Sequence, residues 1–239
     1  MTPTGERHAV PILGGALALI LHLPDTAGRA DCVVACHGLG ASKDSDKYLL
    51  FAAEFPPAGL ALARFDFRGC GESAGVEEAT TVATRLEDAR AVLVCLGSHP
   101  RLSGRFGLLG SSMGGYVALH LAAERGDGLP VVTWNAPVRL DTLRVDRTAP
   151  GLGKALVSEV RAGRYAEAPP GVRRHLVIQA EADDVVPPEH GRALHARAAE
   201  PRALVAIAGG DHRLTEPRHR TDATARSLEW FRRFLKELP

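Results

Sequence analysis

Residues Gly110-Ser111-Ser112-Met113-Gly114 set two serines between glycines, in a G-x-S-x-G spacing with an apolar run before it and a helical pattern after it. A strand that turns sharply into a helix exposes the middle serine hydroxyl, and the flanking glycines leave room for the close backbone approach. The spacing selects Ser112 as a nucleophile and leaves Ser111 as its neighbour. A serine hydroxyl is weakly nucleophilic near neutrality, so it needs a base, and the base needs a carboxylate to orient it. Two later loops offer these groups. Glu181-Ala182-Asp183-Asp184-Val185-Val186-Pro187 follows one apolar run, and Gly209-Gly210-Asp211-His212-Arg213-Leu214 follows the next. Among ten histidines, His212 stands out by its glycine-led loop after the last strand pattern. Asp211 beside it is expected to set that loop. Asp183 and Asp184 share one turn, and either can be the acid or cap the helix that starts near Pro188.

Attack on a carbonyl also requires donors for the negative oxygen that forms. His37-Gly38-Leu39-Gly40 closes another apolar run, and its glycines let the backbone turn its amides toward the serine. The expected donors are the N–H groups of Leu39 and of Met113, the residue after Ser112. His37 is expected to fix this loop by a hydrogen bond. It also joins Trp134, Leu140 and Leu143 as a candidate for contacting a substrate. The glycine-hinged stretch from Arg64 through Asp66, Arg68 and Cys70 to Ser73 takes a structural role, with Asp66 and Arg68 organising it. No base motif accompanies Cys70, so its thiol is not assigned as a nucleophile.

These groups meet only if the intervening elements bring distant loops to one edge. Apolar, β-rich runs occupy residues 16–23, 32–37, 60–67, 105–110, 129–135, 175–180 and 203–209. Most lack polar alternation, as strands buried on both faces of a parallel sheet do. Helical patterns fall at 48–55, 81–96, 113–124, 189–199 and 221–238. The alternation predicts a doubly wound α/β fold. Gly14-Gly15 turns an opening hairpin that makes an antiparallel edge. In the last helix Leu228, Phe231, Phe234, Leu235 and Leu238 form a stripe that must dock on the sheet. Residues 136–174 interrupt the pattern with Pro137, Pro150, Pro169 and Pro170 and one helical stretch near 154–161. This segment reads as a small insertion or lid inside a single domain spanning 1–239.

Lys plus Arg number 29 against 28 Asp plus Glu, so no basic field draws in nucleic acid and a neutral or small-molecule partner fits better. Cys32, Cys36, Cys70 and Cys95 show no C-x-x-C pair and no zinc-type spacing, and are expected to be reduced and mostly buried. The apolar run before His22 is too short to span a bilayer and follows no basic segment, so a cytoplasmic protein without signal peptide or membrane anchor is expected.

In order and spacing, CHGLG, RFDFRGCGES, GSSMGG, ADDVVP and GGDHRLT resemble the motifs of the α/β-hydrolase superfamily over nearly the whole chain. Within it, HG, FDFRGCGES and GxDHR are similar to small-lid bacterial carboxylesterases, including cinnamoyl and feruloyl esterases, and to serine-aminopeptidase-like hydrolases. The resemblance implies a mostly parallel sheet of about eight strands flanked by helices, with a short lid insertion. In such relatives the acid stands four residues before the proline of a D-x-x-V-P turn, which selects Asp183, with Ser112 as nucleophile and His212 as base. Gln179 and Ala180 stand where His-Gly is usual, a departure that touches the turn and removes no reactive group. The implied reaction is hydrolysis of a short-chain or aryl carboxylic ester through an acyl-enzyme on Ser112, with no metal or organic cofactor. Its rate should climb as the base loses its proton, in the range of an ordinary histidine. A thioesterase, or a peptidase or amidase, would use the same groups. Haloperoxidase-type perhydrolysis and a non-catalytic binding role are the remaining alternatives. The expected partner is a small-molecule ester, without nucleic acid or membrane, and the expected assembly is a monomer or homodimer.

Overall fold

The computed structural model describes residues 4–141 and 153–238. β1 (Glu6–Ile12) and β2 (Gly15–His22) form the opening hairpin, turning at Gly14 with φ 87°. Strand and helix then alternate: β3 (Ala30–Cys36), α1 (Asp46–Glu54), β4 (Ala61–Phe65), α2 (Val82–Gly97), β5 (Leu102–Ser111) and α3 (Met113–Arg125). They continue as β6 (Val131–Trp134), α4 (Lys154–Arg161), β7 (His175–Ala180), α5 (Pro188–Arg197), β8 (Arg202–Ile207) and α6 (Pro217–Phe234). The eight strands make one sheet in the order β1-β2-β4-β3-β5-β6-β7-β8. β2 runs antiparallel to both its neighbours, and β4, β3 and β5 to β8 are parallel.

From β3 the chain crosses by α1 to β4, then returns by α2 to β5 on the other side of β3. The winding direction therefore reverses between β3 and β5. In open α/β sheets the crevice beyond the C-terminal strand ends at such a reversal is where ligands bind. Gly38 follows β3 and Ser112 follows β5, so both motifs open at that crevice.

Two apolar cores explain the continuous apolar runs. Cys32, Val34 and Cys36 of β3 face a core shared with α2, α3 and Leu156 of α4, whereas Val33 and Ala35 face one shared with α1 and α6. A strand between two cores has no solvent side to carry polar residues. The stripe of the last helix docks as its spacing requires: Phe231, Phe234 and Leu235 are buried. Phe231 lies over Gly107 of β5, where a Cβ would come within 2.6 Å of its ring.

The described parts of the 136–174 segment are fastened to the body. Leu156 is buried, and the Glu159 carboxylate accepts from the N–H groups of Val82 (2.6 Å) and Ala83 (3.2 Å) at the start of α2. That anion satisfies two of the orphan donors of the helix and lies at its positive end. The Tyr116 hydroxyl of α3 donates to the Tyr165 carbonyl at 2.6 Å. No helix among the described residues is long and apolar enough to cross a membrane.

Phe231→Ala should lower stability by about 3–5 kcal/mol, because β5 offers no side chain to refill the space over Gly107. A urea titration reads this from the shift in midpoint. A loss below about 1 kcal/mol would mean that α6 does not clamp the sheet here.

Candidate active site

β5 ends at Ser111, and α3 begins one residue after Ser112. Ser112 therefore has to turn the chain alone, at φ 54° and ψ −124°, a region that non-glycine residues rarely occupy. Its N–H donates to the Trp134 carbonyl at 2.9 Å, and its carbonyl accepts from Tyr116 N–H at 3.1 Å. The backbone is thus held on both sides while the hydroxyl points away from the sheet. The hydroxyl donates to His212 Nε2 at 3.2 Å, and His212 Nδ1–H donates to Asp183 Oδ2 at 2.7 Å. Ser112, His212 and Asp183 come from loops after three different strands and form one hydrogen-bonded chain.

The acid turn is built around the carboxylate. Asp183 Oδ1 accepts from the N–H groups of Val185 (2.9 Å) and Val186 (2.7 Å), which leaves Oδ2 for the imidazole. Asp184 makes no such contact and is exposed. Gln179 closes the turn by donating to the Val186 carbonyl at 3.0 Å, so the departure from His-Gly supplies a brace of its own. Asp211 accepts from the Thr215 N–H and hydroxyl, both at 2.6 Å, and fixes the loop that carries His212.

Asn135 escaped the sequence reading. At φ 50°, just after β6, it donates to the His212 carbonyl at 2.9 Å and accepts from Ala180 N–H at 2.7 Å. One amide therefore ties the base loop to the end of β7, 77 residues from its histidine partner. No local motif marks such a residue.

Leu39 lines a cavity of about 320 Å³ beside Ser112, and Gly38 packs so closely that a Cβ there would lie 3.2 Å from Ser112 Cβ. Met113 opens α3, where the first N–H groups have no partner inside the helix. Leu39 thus borders the cavity that holds Ser112, and Met113 follows the serine at the start of α3. His37 is fully buried: Nδ1–H donates to the Gly38 carbonyl at 2.8 Å, and Nε2 accepts from Phe67 N–H at 3.0 Å. It fixes the loop and does not line the cavity. Trp134 is also fully buried, with its indole N–H donating to Ser227 at 3.0 Å and its ring against Phe51. Leu140 packs against the core on the α2 and α3 side, and Leu143 lies outside the described residues. The expected apolar lining is therefore not what the described cavity presents.

Its walls are Gly38 to Ala41, the first turn of α1, Ser111, Ser112 and His212, with the cations Lys47, Arg213 and Arg220. The Lys47 ammonium donates to Ser111 Oγ at 2.9 Å. Burial, reinforced by Arg213 and Arg220 and opposed by Asp211 and Asp183, pushes it down to about 8. Burial drives the Cys70 thiol up to about 12, which removes it as a nucleophile near neutrality. The four cysteines are free. Chemically, the arrangement can move a proton from a serine hydroxyl to an oriented imidazole.

A family profile described as serine aminopeptidase, S33, matches residues 28–158, more than half of the chain. The chain belongs to this family. It is an α/β serine hydrolase of the S33 type, with Ser112 inside the matched span and Asp183 and His212 beyond it. The chain is 27% identical to YfhR of Escherichia coli K12 over 195 residues, 80% of this chain and 67% of that protein. It is 29% identical to Rv2307c of Mycobacterium tuberculosis, over 95% of this chain and 80% of that protein. The fold matches Est1E of Butyrivibrio proteoclasticus, solved with ferulic acid bound, at TM-score 0.77 and 18% identity, over 97% of this chain and 98% of that one. It also matches XC6422 of Xanthomonas campestris, described as an α/β serine hydrolase without lid, at TM-score 0.72 and 22% identity, over 96% and 94%.

The S33 fold here buries histidines in their neutral form. Burial, with the Arg85 guanidinium adding to it, lowers His37 to about 4. Burial lowers His120 to about 4 and His175 to about 3. In the unfolded chain these groups titrate near the ordinary value of about 6.5. Protons then bind the unfolded state first, so stability is full above that pH and is lost as pH falls toward 4. The urea midpoint should drop between pH 6.5 and pH 5, above the ordinary carboxylate range, and His175→Gln should flatten the drop. A midpoint constant over this interval would show that these rings do not stay neutral in the fold.

Proposed function

We propose that the protein hydrolyses carboxylic esters, short-chain or aryl, through an acyl-enzyme on Ser112. One observation carries the reading: His212 stands between Ser112 Oγ at 3.2 Å and Asp183 Oδ2 at 2.7 Å. Asp183 accepts from Nδ1–H, which leaves Nε2 free to take the serine proton as the hydroxyl oxygen attacks the carbonyl carbon. The N–H groups of Leu39 and Met113 receive the oxyanion. As the tetrahedral adduct collapses, His212 returns the proton to the leaving alcohol. Water then repeats the sequence on the acyl-enzyme, with His212 again as base and then acid. The cavity of about 320 Å³ is at the small end of ligand pockets, which supports a compact substrate.

The family description raises aminopeptidase activity as a second reading. An aminopeptidase has to hold the α-ammonium of its substrate, which calls for a carboxylate beside the nucleophile. Here the side chains around the serine include Lys47, Arg213 and Arg220, and Asp46 is already paired with Arg220 at 3.1 Å. Such walls repel an ammonium, which favours the ester reading.

Ser112→Ala, with folding matched by circular dichroism, should lose about 10⁴-fold or more of kcat on p-nitrophenyl esters of short acyl chains. Equal activity in the two proteins would dismiss Ser112 as the nucleophile. Turnover of aminoacyl p-nitroanilides in place of esters would move the assignment to the peptidase reading.

A further inference from the structure

We propose that the substrate carries a carboxylate or phosphate group that seats against Lys47, Arg213 and Arg220, a refinement that rests on the ester-hydrolase reading. The chain as a whole has a formal net charge of +1, yet these cations from three separate places converge on the cavity beside Ser112. Lys47 comes from the first turn of α1, Arg213 follows His212, and Arg220 lies near the start of α6.

Two of the nearby carboxylates are engaged elsewhere, and the third pairs with Arg220. Asp183 holds His212 and two backbone N–H groups, and Asp211 faces Thr215. Asp46 is exposed and bridges to Arg220 at 3.1 Å. No carboxylate among the described residues forms an ion pair with Lys47 or Arg213, and the close partner of the Lys47 ammonium is the neutral hydroxyl of Ser111. The proximity of these cations is felt: Arg213 and Arg220 both help to push Lys47 down to about 8, after burial itself.

With Asp46 paired to Arg220 and no ion pair to Lys47 or Arg213 among the described residues, the wall keeps an excess of positive charge, which works against the folded state. A bound anion reverses that sign. Guanidinium groups present a planar fork that matches carboxylate and phosphate oxygens, and an ammonium adds a point charge with three donors. Because the cluster borders the cavity of the nucleophile, a charged group seated there would draw the ester carbonyl of the same molecule toward Ser112. Anchoring at a remote charge is a general way to orient a reacting bond.

The test uses ester pairs that differ only in charge: mono-4-nitrophenyl glutarate against its methyl ester, and 4-acetoxybenzoate against its methyl ester. The first pair places the anion on the acyl side and the second on the alcohol side. At low salt the anionic member of at least one pair should show kcat/KM about tenfold or more above its neutral partner. That ratio should fall toward one at high salt, and in Lys47→Met and Arg213→Gln. Equal cleavage of both members in both pairs overturns the anion subsite and leaves ester hydrolysis standing.

Cleavage of no ester speaks against the ester reading, and the subsite is then decided by binding. Calorimetric titration of folded Ser112→Ala protein with monomethyl glutarate and with inorganic phosphate should give saturable binding of at least one anion, lost when Lys47→Met is added. The arm that binds distinguishes carboxylate from phosphate. No binding of either anion overturns the proposal.

Discussion

The first turn of α3 lies against the end of β3 so closely that no side chain fits between them. A Cβ at Gly114 would run into the carbonyl of Cys36, and one at Gly110 would run into the backbone of Gly114. This contact decides where the hydroxyl of Ser112 points. With α3 pressed onto the sheet, the chain must reverse within one residue, and Ser112 takes a positive φ that costs of order 1–3 kcal/mol. Such strain survives only where the surroundings over-determine it. Here the N–H of Ser112 is claimed by β6, its carbonyl by Tyr116, and β5 is locked between β3 and β6. Glycine at two positions thus converts the packing of two cores into the direction of one side chain.

The loops around that side chain are held by charge rather than by apolar packing. Asp66 is fully buried, and its carboxylate accepts from Lys43 N–H (2.7 Å), from the Lys43 ammonium (2.9 Å) and from Glu72 N–H (3.0 Å). The buried Arg64 donates to the Lys43 carbonyl at 3.0 Å and to His22 Nε2 at 2.9 Å, and pairs with Asp44. Glu77 accepts from Gly40 N–H at 3.1 Å and faces Arg85, whose guanidinium stacks over Phe67. Desolvation offsets much of the attraction in pairs of this kind, so their contribution to stability is small. Their effect is directional. Four of these bonds end on a backbone group of Gly40, Lys43 or Glu72, and the one from Gly40 N–H ties the turn after β3 to Glu77.

The same contrast explains what could be read from the chain. Strands between two cores have to be largely apolar, so the run at 175–180 coincides with β7, and the start of α3 falls at Met113 as its pattern requires. Ends that depend on solvent-facing residues were less legible. α6 starts at Pro217, ahead of the apolar stripe, because its first turn is largely exposed and proline is tolerated there. β5 starts at Leu102, where pairing with Ala30 continues past a polar, irregular stretch. Ser112, Asp183 and His212 sit in loops with their own glycine, proline or spacing signals, and their meeting could be anticipated. Asn135 and Lys47 are single polar residues whose meaning arises only from neighbours far away in sequence. Trp134 misled for a related reason: at the end of a strand it suggested a pocket wall, but strand alternation turns it into the core shared with α1 and α6.

Whole-chain charge hides local charge by the same logic. A net value sums every side chain, and those exposed at the surface are screened by water and salt over about 8–10 Å. A cavity samples only what its walls present, across a medium of lower polarity that focuses the field. Arg213 and Arg220 stand seven residues apart, but Lys47 lies far upstream, so no sequence window shows the three together and the fold brings Lys47 to the other two. The cluster stands beside a base loop that Asn135 and Asp211 tie in place by hydrogen bonds, so a charged molecule seated there would meet reacting groups already in hydrogen-bond contact. Binding energy gathered at the cations is then available to orient the scissile bond instead of being spent on ordering the protein.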